Sequence, residues 1–249
     1  MSAPTPHHDP EFENRSYDTA AFAAAALKSW QTLAAVIDHT LLKPDATRAQ
    51  VESLCEEAVR YRFACAMVNP VWASTAVGAL SGSGVPAGVV IGFPLGASLV
   101  STLHQEAAAL SRLGACELDM VIPIGLLKSG DNRAVQNAIR TTATVAHHHG
   151  ALLKVILETA LLNVEEKLRG SELAIQAGAD FIKTSTGFSS GGATATDVAL
   201  MRGVAGSRCG VKASGGIRTL ADVKAMLEAG ASRIGASASV AIVREMGAE

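Results

Sequence analysis

The chain has 249 residues, of which 49% are hydrophobic, 4% aromatic and 18% charged, and its formal net charge is −2. This balance, without a basic run or basic residues interleaved with aromatics, excludes a typical nucleic-acid-binding surface. The scarcity of aromatics means that the core is aliphatic, as in a parallel sheet buried on both faces.

The N-terminal region does not resemble a targeting segment. Residues 20–27 are apolar, but acidic residues precede them and no basic segment does, which excludes a signal peptide. No apolar run is long enough to span a bilayer. Residues 1–16 predict a flexible tail and residues 18–30 an amphipathic helix, so we expect an N-terminal extension over 1–30 and one catalytic domain over 31–249.

The cysteines point to a reducing environment. All four are isolated, and they form neither a CxxC pair nor a metal-ligand spacing. We interpret them as reduced core residues of a cytoplasmic protein that has no membrane or nucleic-acid partner and no metal site.

From residue 33 onwards, short apolar runs alternate with longer segments of helical period. The predicted strands cover residues 34–38, 63–68, 88–92, 117–122, 152–157, 181–183, 210–213 and 233–235. The predicted helices cover residues 47–60, 70–81, 101–112, 131–148, 164–176, 195–205, 219–228 and 238–246.

A weak Gly-Ala repeat supports this alternation. Gly114, Gly150, Gly178 and Gly230 each end a predicted helix and precede a strand, and glycine is the expected residue just past a helix end. Eight β-α units of this length predict an α/β fold, a (β/α)8 TIM barrel with a short N-terminal helical extension. The alternative is an open doubly wound sheet, but no GxGxxG motif follows the first strand.

Active-site groups of such a barrel lie at the C-terminal ends of its strands and in the loops that follow. Two lysines, Lys183 and Lys212, end the sixth and seventh strands. Neighbouring strands lie about 5 Å apart, so the two ammonium groups would share one cavity, where burial and like charge lower a lysine pKa. A neutral amine there would be suited to form a Schiff base with a carbonyl. The alternative is that one lysine faces outwards along a helix.

Asp119 is a carboxylate within an apolar strand and shares its parity with Glu117, so both are expected to face the interior. From spacing alone, Asp119 is a candidate for proton transfer and equally a candidate for an ion pair with Lys154. The two roles are compatible.

Small residues follow three consecutive strands, where exposed backbone N–H groups favour a phosphate. Glycines in these positions are also ordinary turn formers, so only the coincidence of three loops is informative. The predicted substrate- or phosphate-binding residues are Asp38, Thr40, Asn69, Lys154, Thr186, Gly187, Gly215, Gly216, Arg218, Gly235 and Ser237.

Five segments, in order along the chain, carry a resemblance to a known family. They are residues 37–44 (IDHTLLKP), 117–122 (ELDMVI), 153–159 (LKVILET), 181–188 (FIKTSTGF) and 211–218 (VKASGGIR). On these segments the chain, from about residue 34 to 245, resembles the deoxyribose-phosphate aldolases, which are class I aldolases.

The resemblance implies a reversible cleavage of 2-deoxy-D-ribose 5-phosphate to D-glyceraldehyde 3-phosphate and acetaldehyde, within deoxyribose phosphate catabolism. It implies that Lys183 is the Schiff-base lysine and that Lys212 and Asp119 activate it and relay protons. It also implies phosphosugar and aldehyde substrates, no cofactor, and a homodimer or homotetramer.

Two departures from the family pattern have expected consequences. Met67 stands where many members have a cysteine, and because a thioether is not a nucleophile as a thiolate is, we expect better tolerance of reactive aldehydes. Ala238 follows Ser237 where some members have a second serine, so one phosphate contact is expected to be missing.

Two other functions stay open at this point. One is a different Schiff-base barrel aldolase, of the transaldolase or fructose-bisphosphate type, which would need a ketose donor. The other is a non-catalytic phosphosugar-binding barrel, against which the presence of Lys183, Lys212 and Asp119 argues.

Overall fold

The computed structural model describes residues 17–249, and its centre is a closed barrel of eight parallel strands in sequential order. The strands are β1 (Ile37–Leu41), β2 (Cys65–Val68), β3 (Ala87–Ile91), β4 (Glu117–Val121), β5 (Leu152–Ile156), β6 (Phe181–Lys183), β7 (Gly210–Ser214) and β8 (Arg233–Ala236). The predicted (β/α)8 barrel is therefore confirmed.

Helices surround the barrel and cover its outer face. They are α1 (Thr19–Ala26), α2 (Trp30–Ala34), α3 (Arg48–Tyr61), α4 (Ala73–Leu80), α5 (Val100–Arg112), α6 (Ile124–Lys128), α7 (Asn132–His148), α8 (Val164–Gln176), α9 (Ala195–Ala205), α10 (Leu220–Glu228) and α11 (Ser239–Arg244). Among the described residues, none of these helices is both long and apolar enough to cross a membrane.

Local sequence fixes where several helices begin. At Thr47, Asn163 and Thr219 the side chain accepts a hydrogen bond from the backbone N–H three residues on, and the side chain at that later position accepts one from the backbone N–H of the cap residue. This reciprocal capping satisfies N–H groups that the first turn of a helix otherwise leaves without partners.

The N-terminal boundaries differ from the prediction. The segment 18–30 was expected to be one helix, but Ser29 forms a capping box with Thr32 and starts the separate helix α2. This helix extends to Ala34, so β1 begins at Ile37 and the predicted strand 34–38 is placed too early. The apolar residues of α2 resemble a buried strand because a short apolar run has no distinguishing period. The predicted tail 1–16 lies outside the described residues.

Smaller differences lie in the loops. Residues 70–72 of the predicted helix 70–81 form a 3-10 turn, which begins at Pro70 and precedes α4. Helix α6 and a second 3-10 turn, Thr159–Leu161, were not predicted. Both are shorter than the length at which periodicity becomes visible.

The interior of the barrel is divided into two halves. Residues of β2 and β3, with Leu42 beyond β1, form a small apolar cluster separate from the main core. The inward-facing positions of the other strands carry charged side chains that contact one another. The main core fills the space between barrel and helices, so apolar residues surround the charged half on its outer side.

Candidate active site

The strand register places two lysines side by side. Lys183 on β6 is paired with Lys212 on β7, and both side chains are buried. Their Nζ atoms contact the same oxygen of Asp119 on β4, Oδ2, at 2.8 Å and 2.6 Å respectively. The two ammonium groups therefore share one cavity, as their positions at successive strand ends predict.

Asp119 connects three lysines. Its second oxygen, Oδ1, accepts a hydrogen bond from Lys154 Nζ on β5 at 2.8 Å. The expected ion pair with Lys154 is thus present, and it uses a different oxygen from the one that receives Lys183 and Lys212. Because each oxygen of a carboxylate accepts more than one hydrogen bond, the three contacts are compatible.

Further charges lie towards the N-terminal ends of the strands. Lys212 Nζ lies 2.5 Å from Oδ2 of Asp38, and Arg233 contacts Asp38 Oδ1 and Glu117 Oε1 at 3.0 Å each. Glu117 also contacts Lys154 through its other oxygen. We call this set the interior charge cluster. It comprises three carboxylates and four cations, namely Asp38, Glu117, Asp119, Lys154, Lys183, Lys212 and Arg233.

The environment of Lys183 favours its neutral form. Burial lowers the pKa of Lys183 to about 8, and the positive charges of Lys212 and Lys154 act in the same direction, while Asp119 opposes them. Both burial and like charge disfavour an ammonium group. At neutral pH a useful fraction of Lys183 is therefore an unprotonated amine.

Asp119 and Lys154 keep their charges. Burial alone would raise the pKa of Asp119, but the three lysines outweigh it and hold that pKa well below its usual range. Burial would likewise lower the pKa of Lys154, yet Asp119, Asp38 and Glu117 hold it well above its usual value. The pKa of Lys183 is thus lowered, whereas the pKa of its neighbour Lys154 is raised.

A cleft of about 280 Å³ opens above the cluster, and Lys183 is the member of the cluster that lines it. The sequence-predicted residues that line this cleft are Thr40, Thr186, Gly187, Gly215, Gly216, Arg218, Gly235 and Ser237. Thr40 lies in β1 and Gly235 in β8, and the others lie in the loops after β6, β7 and β8, so the three predicted anion-binding loops meet in one place.

Close backbone contact joins two of these loops. A Cβ on Gly192 would lie 2.2 Å from the carbonyl oxygen of Gly215, and the N–H of Ala193 donates to that oxygen at 2.9 Å. Gly215 and Gly216 have φ of 87° and 80°, a region that favours glycine. These glycines let the loop after β7 fold against the loop after β6.

A buried carboxylate orients the loop after β6. Glu158 lies in the left-handed region, with φ of 57°, and its Oε2 accepts hydrogen bonds from the backbone N–H and the hydroxyl of Thr186. The Thr186 hydroxyl oxygen in turn accepts from the backbone N–H of Phe188 at 3.0 Å. Glu158 therefore sets the position of a cleft-lining segment without lining the cleft itself.

Three predicted binding residues lie elsewhere. Asp38 and Lys154 are buried within the interior charge cluster and do not line the cleft. Asn69 donates its side-chain N–H to the carbonyl of Leu42 at 3.0 Å, so it holds the loop after β1. Its position after a strand is typical of a ligand contact, but a structural hydrogen bond uses the same residue type.

Besides Glu158, sequence reasoning missed three contributors. Lys43 and Phe188 line the cleft, and Arg233 joins the interior charge cluster. Lys43 lies within a segment used for the family resemblance, and Arg233 begins a predicted strand. The parity of β8 relative to Gly235 is the signal that places Arg233 inside the barrel.

One group of side chains has metal-ligand chemistry. Among residues 17–249, Asp38, Cys65 and Glu117 bring ligand-type atoms within 4.8 Å of one another. Arg233 already bridges both carboxylates at 3.0 Å, and burial, with the nearby carboxylates, raises the pKa of Cys65 well above its usual value. A thiol ligand must be deprotonated, so this group does not fit a cation.

Comparisons with known proteins point to one family. Residues 32–248 match the model of the DeoC/LacD family of aldolases. The chain is 54% identical over 211 residues to the deoxyribose-phosphate aldolase of Bacillus mycoides, covering 85% of this chain and 94% of the relative. It is also 54% identical over 184 residues to that of Geobacillus sp., covering 74% and 82% respectively.

Solved structures show the same fold. A putative deoxyribose-phosphate aldolase from Coccidioides immitis superposes with a TM-score of 0.84 at 43% identity, covering 87% of this chain and 86% of that one. A tetrameric deoxyribose phosphate aldolase from Aeropyrum pernix gives a TM-score of 0.85 at 35% identity, with 93% and 97% coverage.

Proposed function

Because this chain belongs to the DeoC/LacD family of aldolases, we propose that it reversibly cleaves 2-deoxy-D-ribose 5-phosphate to D-glyceraldehyde 3-phosphate and acetaldehyde. The relatives at 54% identity carry the name of that enzyme. The observation that carries the proposal is Lys183: it lines the cleft, its pKa is lowered to about 8 by burial, and it touches the carboxylate of Asp119.

The first half of the reaction is formation of a covalent intermediate. The neutral amine of Lys183 adds to the C1 aldehyde of the open-chain sugar, and loss of water from the carbinolamine gives an iminium. The iminium draws electrons from the C2–C3 bond. As the C3 hydroxyl loses its proton, this bond breaks, D-glyceraldehyde 3-phosphate leaves and C1 and C2 stay on Lys183 as an enamine.

The second half returns the enzyme to its starting state. The enamine takes a proton at C2, becomes an iminium and is hydrolysed to acetaldehyde and free Lys183. Lys212 and Asp119 are the proposed partners for these proton transfers, since Lys212 Nζ and Lys183 Nζ contact the same Asp119 oxygen. Because Asp119 stays negatively charged, we propose that it orients both lysines. We propose that Lys212 carries the proton that is transferred.

Binding of the phosphate is assigned to the loops after β6, β7 and β8. Gly187, Gly215, Gly216 and Ser237 line the cleft, and Arg218 supplies a cation there. Backbone N–H groups in glycine-rich loops suit an anion, and barrels commonly hold phosphate after their seventh and eighth strands. We assign Thr40 to the sugar hydroxyls, on the β1 side of the same cleft.

Two further assignments complete the proposal. Lys154 and Asp38 act beneath the cleft by holding the other charged groups in place, and Asn69 acts through the loop after β1.

We also propose that the chain forms a homodimer or homotetramer in the cytoplasm, because a structure at 35% identity is described as tetrameric. Sedimentation equilibrium measures the assembly directly.

Borohydride trapping tests the proposed function. When the protein is incubated with deoxyribose 5-phosphate and borohydride, mass spectrometry should find a two-carbon or sugar adduct on Lys183. Lys183→Arg keeps the positive charge but lacks a neutral amine, and it should give no adduct and at least about a thousandfold lower activity, as for a removed nucleophile. Fructose 1,6-bisphosphate serves as the ketose control and should give none. An adduct on another lysine, or none at all, contradicts the proposal.

A further inference from the structure

The interior charge cluster has more positive than negative groups. With every group ionised, its three carboxylates and four cations leave one positive charge inside the barrel. Burial of a net charge is costly, and removal of one proton makes the cluster neutral. The lysine that has the fewest carboxylate contacts is the one that releases the proton most easily.

Contacts identify that lysine as Lys183. It contacts one carboxylate, Asp119, whereas Lys212 contacts Asp119 and Asp38, and Lys154 contacts these two and Glu117 as well. Lys183 is therefore least well held as an ammonium group, and the surplus positive charge falls on it.

Arg233 is the source of the surplus. A guanidinium group stays charged in proteins, and Arg233 bridges Asp38 and Glu117 with one nitrogen on each, 3.0 Å from each oxygen. The remaining oxygen of each of these two carboxylates contacts Lys212 or Lys154. The fork geometry thus fixes both carboxylates in the orientation in which they hold the two neighbouring lysines.

We propose that Arg233 is a positioning residue for Lys183: it supplies the fourth positive charge of the interior charge cluster and holds the carboxylates that orient Lys212 and Lys154. Arg233 is the first residue of β8. It lies below the cleft and is not one of the residues that line the cleft. Its action on Lys183 passes through Asp38, Glu117 and the lysines bound to them.

The surroundings of both groups support this route. The titratable groups that face Lys183 are Asp119 on β4, Lys154 on β5 and Lys212 on β7. Those that face Arg233 are Asp38 on β1, Cys65 on β2 and Glu117 and Asp119 on β4. Its guanidinium also lies 5.5 Å from the centre of the Phe181 ring. Cys65 stays a neutral thiol because burial raises its pKa, so it does not alter the charge count.

The inference rests on the proposed role of Lys183, and its test therefore needs a readout that does not depend on substrate. Competitive acetylation with acetic anhydride, followed by peptide mass spectrometry, measures the fraction of unprotonated Lys183 as pH is varied around about 8. The pH at half-maximal labelling is compared with the rising limb of kcat/KM for deoxyribose 5-phosphate, which reports the same ionisation.

A substitution that removes a positive charge and one that removes a negative charge should shift the pH of half-maximal labelling in opposite directions. Arg233→Met removes a positive charge and should raise the midpoint by about one pH unit, by Coulomb interaction across a buried site. Glu117→Gln removes a negative charge and should lower it by a similar amount. The double variant restores the original net charge and should lie close to the unmodified protein, and Arg233→Lys, which keeps the charge, should also stay close.

A matched control uses Arg202, a buried arginine on α9 that is not a member of the cluster and binds the hydroxyl of Ser232 and the backbone carbonyls of Gly206, Cys209 and Gly230. Arg202→Met should lower stability and leave the labelling midpoint unchanged. A shift of the labelling midpoint in Arg202→Met would show that general destabilisation of the fold causes the effect, and it would overturn the proposal.

Other outcomes are equally decisive. An unchanged midpoint in Arg233→Met, or a shift in the same direction as in Glu117→Gln, overturns the proposal. If Arg233→Met does not fold, Arg233→Gln, which removes the same charge and keeps a hydrogen-bond donor, decides, because it must raise the midpoint. If labelling follows the expected pattern while no deoxyribose 5-phosphate is cleaved, the role of Arg233 stands and the proposed function falls.

Discussion

At the scale of single residues, contacts rather than position distinguish the two strand-end lysines. Lys183 and Lys212 occupy paired sites on adjacent strands, and both are buried. Lys212 has a second carboxylate, Asp38, at 2.5 Å, while Lys183 has Asp119 alone. Lys183 therefore has fewer counter-ions than Lys212, and burial lowers the pKa of Lys183 to about 8.

Met67 is a second residue whose chemistry has a measurable consequence. It is fully buried in the small apolar cluster inside the barrel, beside Cys65. A thioether does not attack aldehydes, and burial raises the pKa of Cys65 well above its usual value, which suppresses its thiolate. The apolar half of the barrel therefore contains no group that reacts readily with an aldehyde substrate.

We predict that Met67→Cys lowers the resistance of the enzyme to concentrated acetaldehyde. The half-life of activity should fall several-fold relative to the unmodified protein, because a thiol can become a nucleophile and a thioether cannot. Met67→Leu, of similar volume and without reactivity, is the control and should keep the original half-life. Equal loss in all three, with acetaldehyde adducts on other side chains, would show that Met67 does not determine tolerance.

At the scale of elements, the cleft depends on how closely two loops approach. Gly192, in the loop after β6, lies against the carbonyl of Gly215, in the loop after β7. Neither strand contributes to this contact, which is made entirely by backbone atoms. The distance between the two loops therefore depends on the absence of a side chain at Gly192.

We predict that Gly192→Ala weakens binding of phosphorylated substrates. Its Cβ would lie 2.2 Å from the Gly215 oxygen, so the loops must separate and the proposed phosphate site must widen. The KM for deoxyribose 5-phosphate should rise about tenfold, equivalent to about 1.4 kcal/mol, while the KM for unphosphorylated deoxyribose should change little.

The chain offers a matched glycine for comparison. Gly203 lies within α9, and a Cβ there would meet no atom within 4 Å. Gly203→Ala should leave both KM values unchanged and raise the free energy of unfolding by about 0.5–1 kcal/mol, since alanine is the better helix former. A similar rise in KM in both variants would contradict the role assigned to Gly192.

The same scale shows what sequence reasoning resolves. The β-α alternation and the Gly-Ala helix ends predict the barrel, strand parity places Glu117 and Asp119 on its interior face, and successive strand ends bring Lys183 and Lys212 together. Parity works because side chains alternate along every strand. The start of β1 was misplaced because α2 presents an apolar run that is too short to show a period.

Other features depend on contacts between distant parts of the chain. The bridge from Arg233 to Asp38 joins residues 195 positions apart and exists only once β8 pairs with β1. Glu158 could not be anticipated either, because its positive φ and its hydrogen bonds to Thr186 follow from the path of a loop. Such groups become visible when the register of the closed barrel is known.

At the scale of the whole molecule, the interior charge cluster joins six strands of the barrel, all except β2 and β3. Asp119 contacts three of its cations, all of them lysines. Removal of one partner from a buried ion pair is more damaging than removal of both, because the remaining charge has no counter-ion.

We predict that Asp119→Asn lowers the free energy of unfolding by about 3–5 kcal/mol, the range for a broken buried ion pair, as well as activity. Urea denaturation followed by circular dichroism measures the change. The control is Glu228→Gln, which breaks an exposed pair with Lys224 at 3.8 Å and should cost less than about 0.5 kcal/mol. Equal costs would show that the cluster does not hold the barrel together.

The two oxygens of Asp119 have a consequence for evolution. One oxygen contacts Lys154, and the other contacts Lys183 and Lys212. A single carboxyl group therefore contributes both to the stability of the fold and to catalysis. A mutation there alters both traits together, and selection has no means of improving one alone. Laboratory evolution towards heat tolerance should therefore accumulate its changes in the helical shell and leave the interior of the barrel as it is.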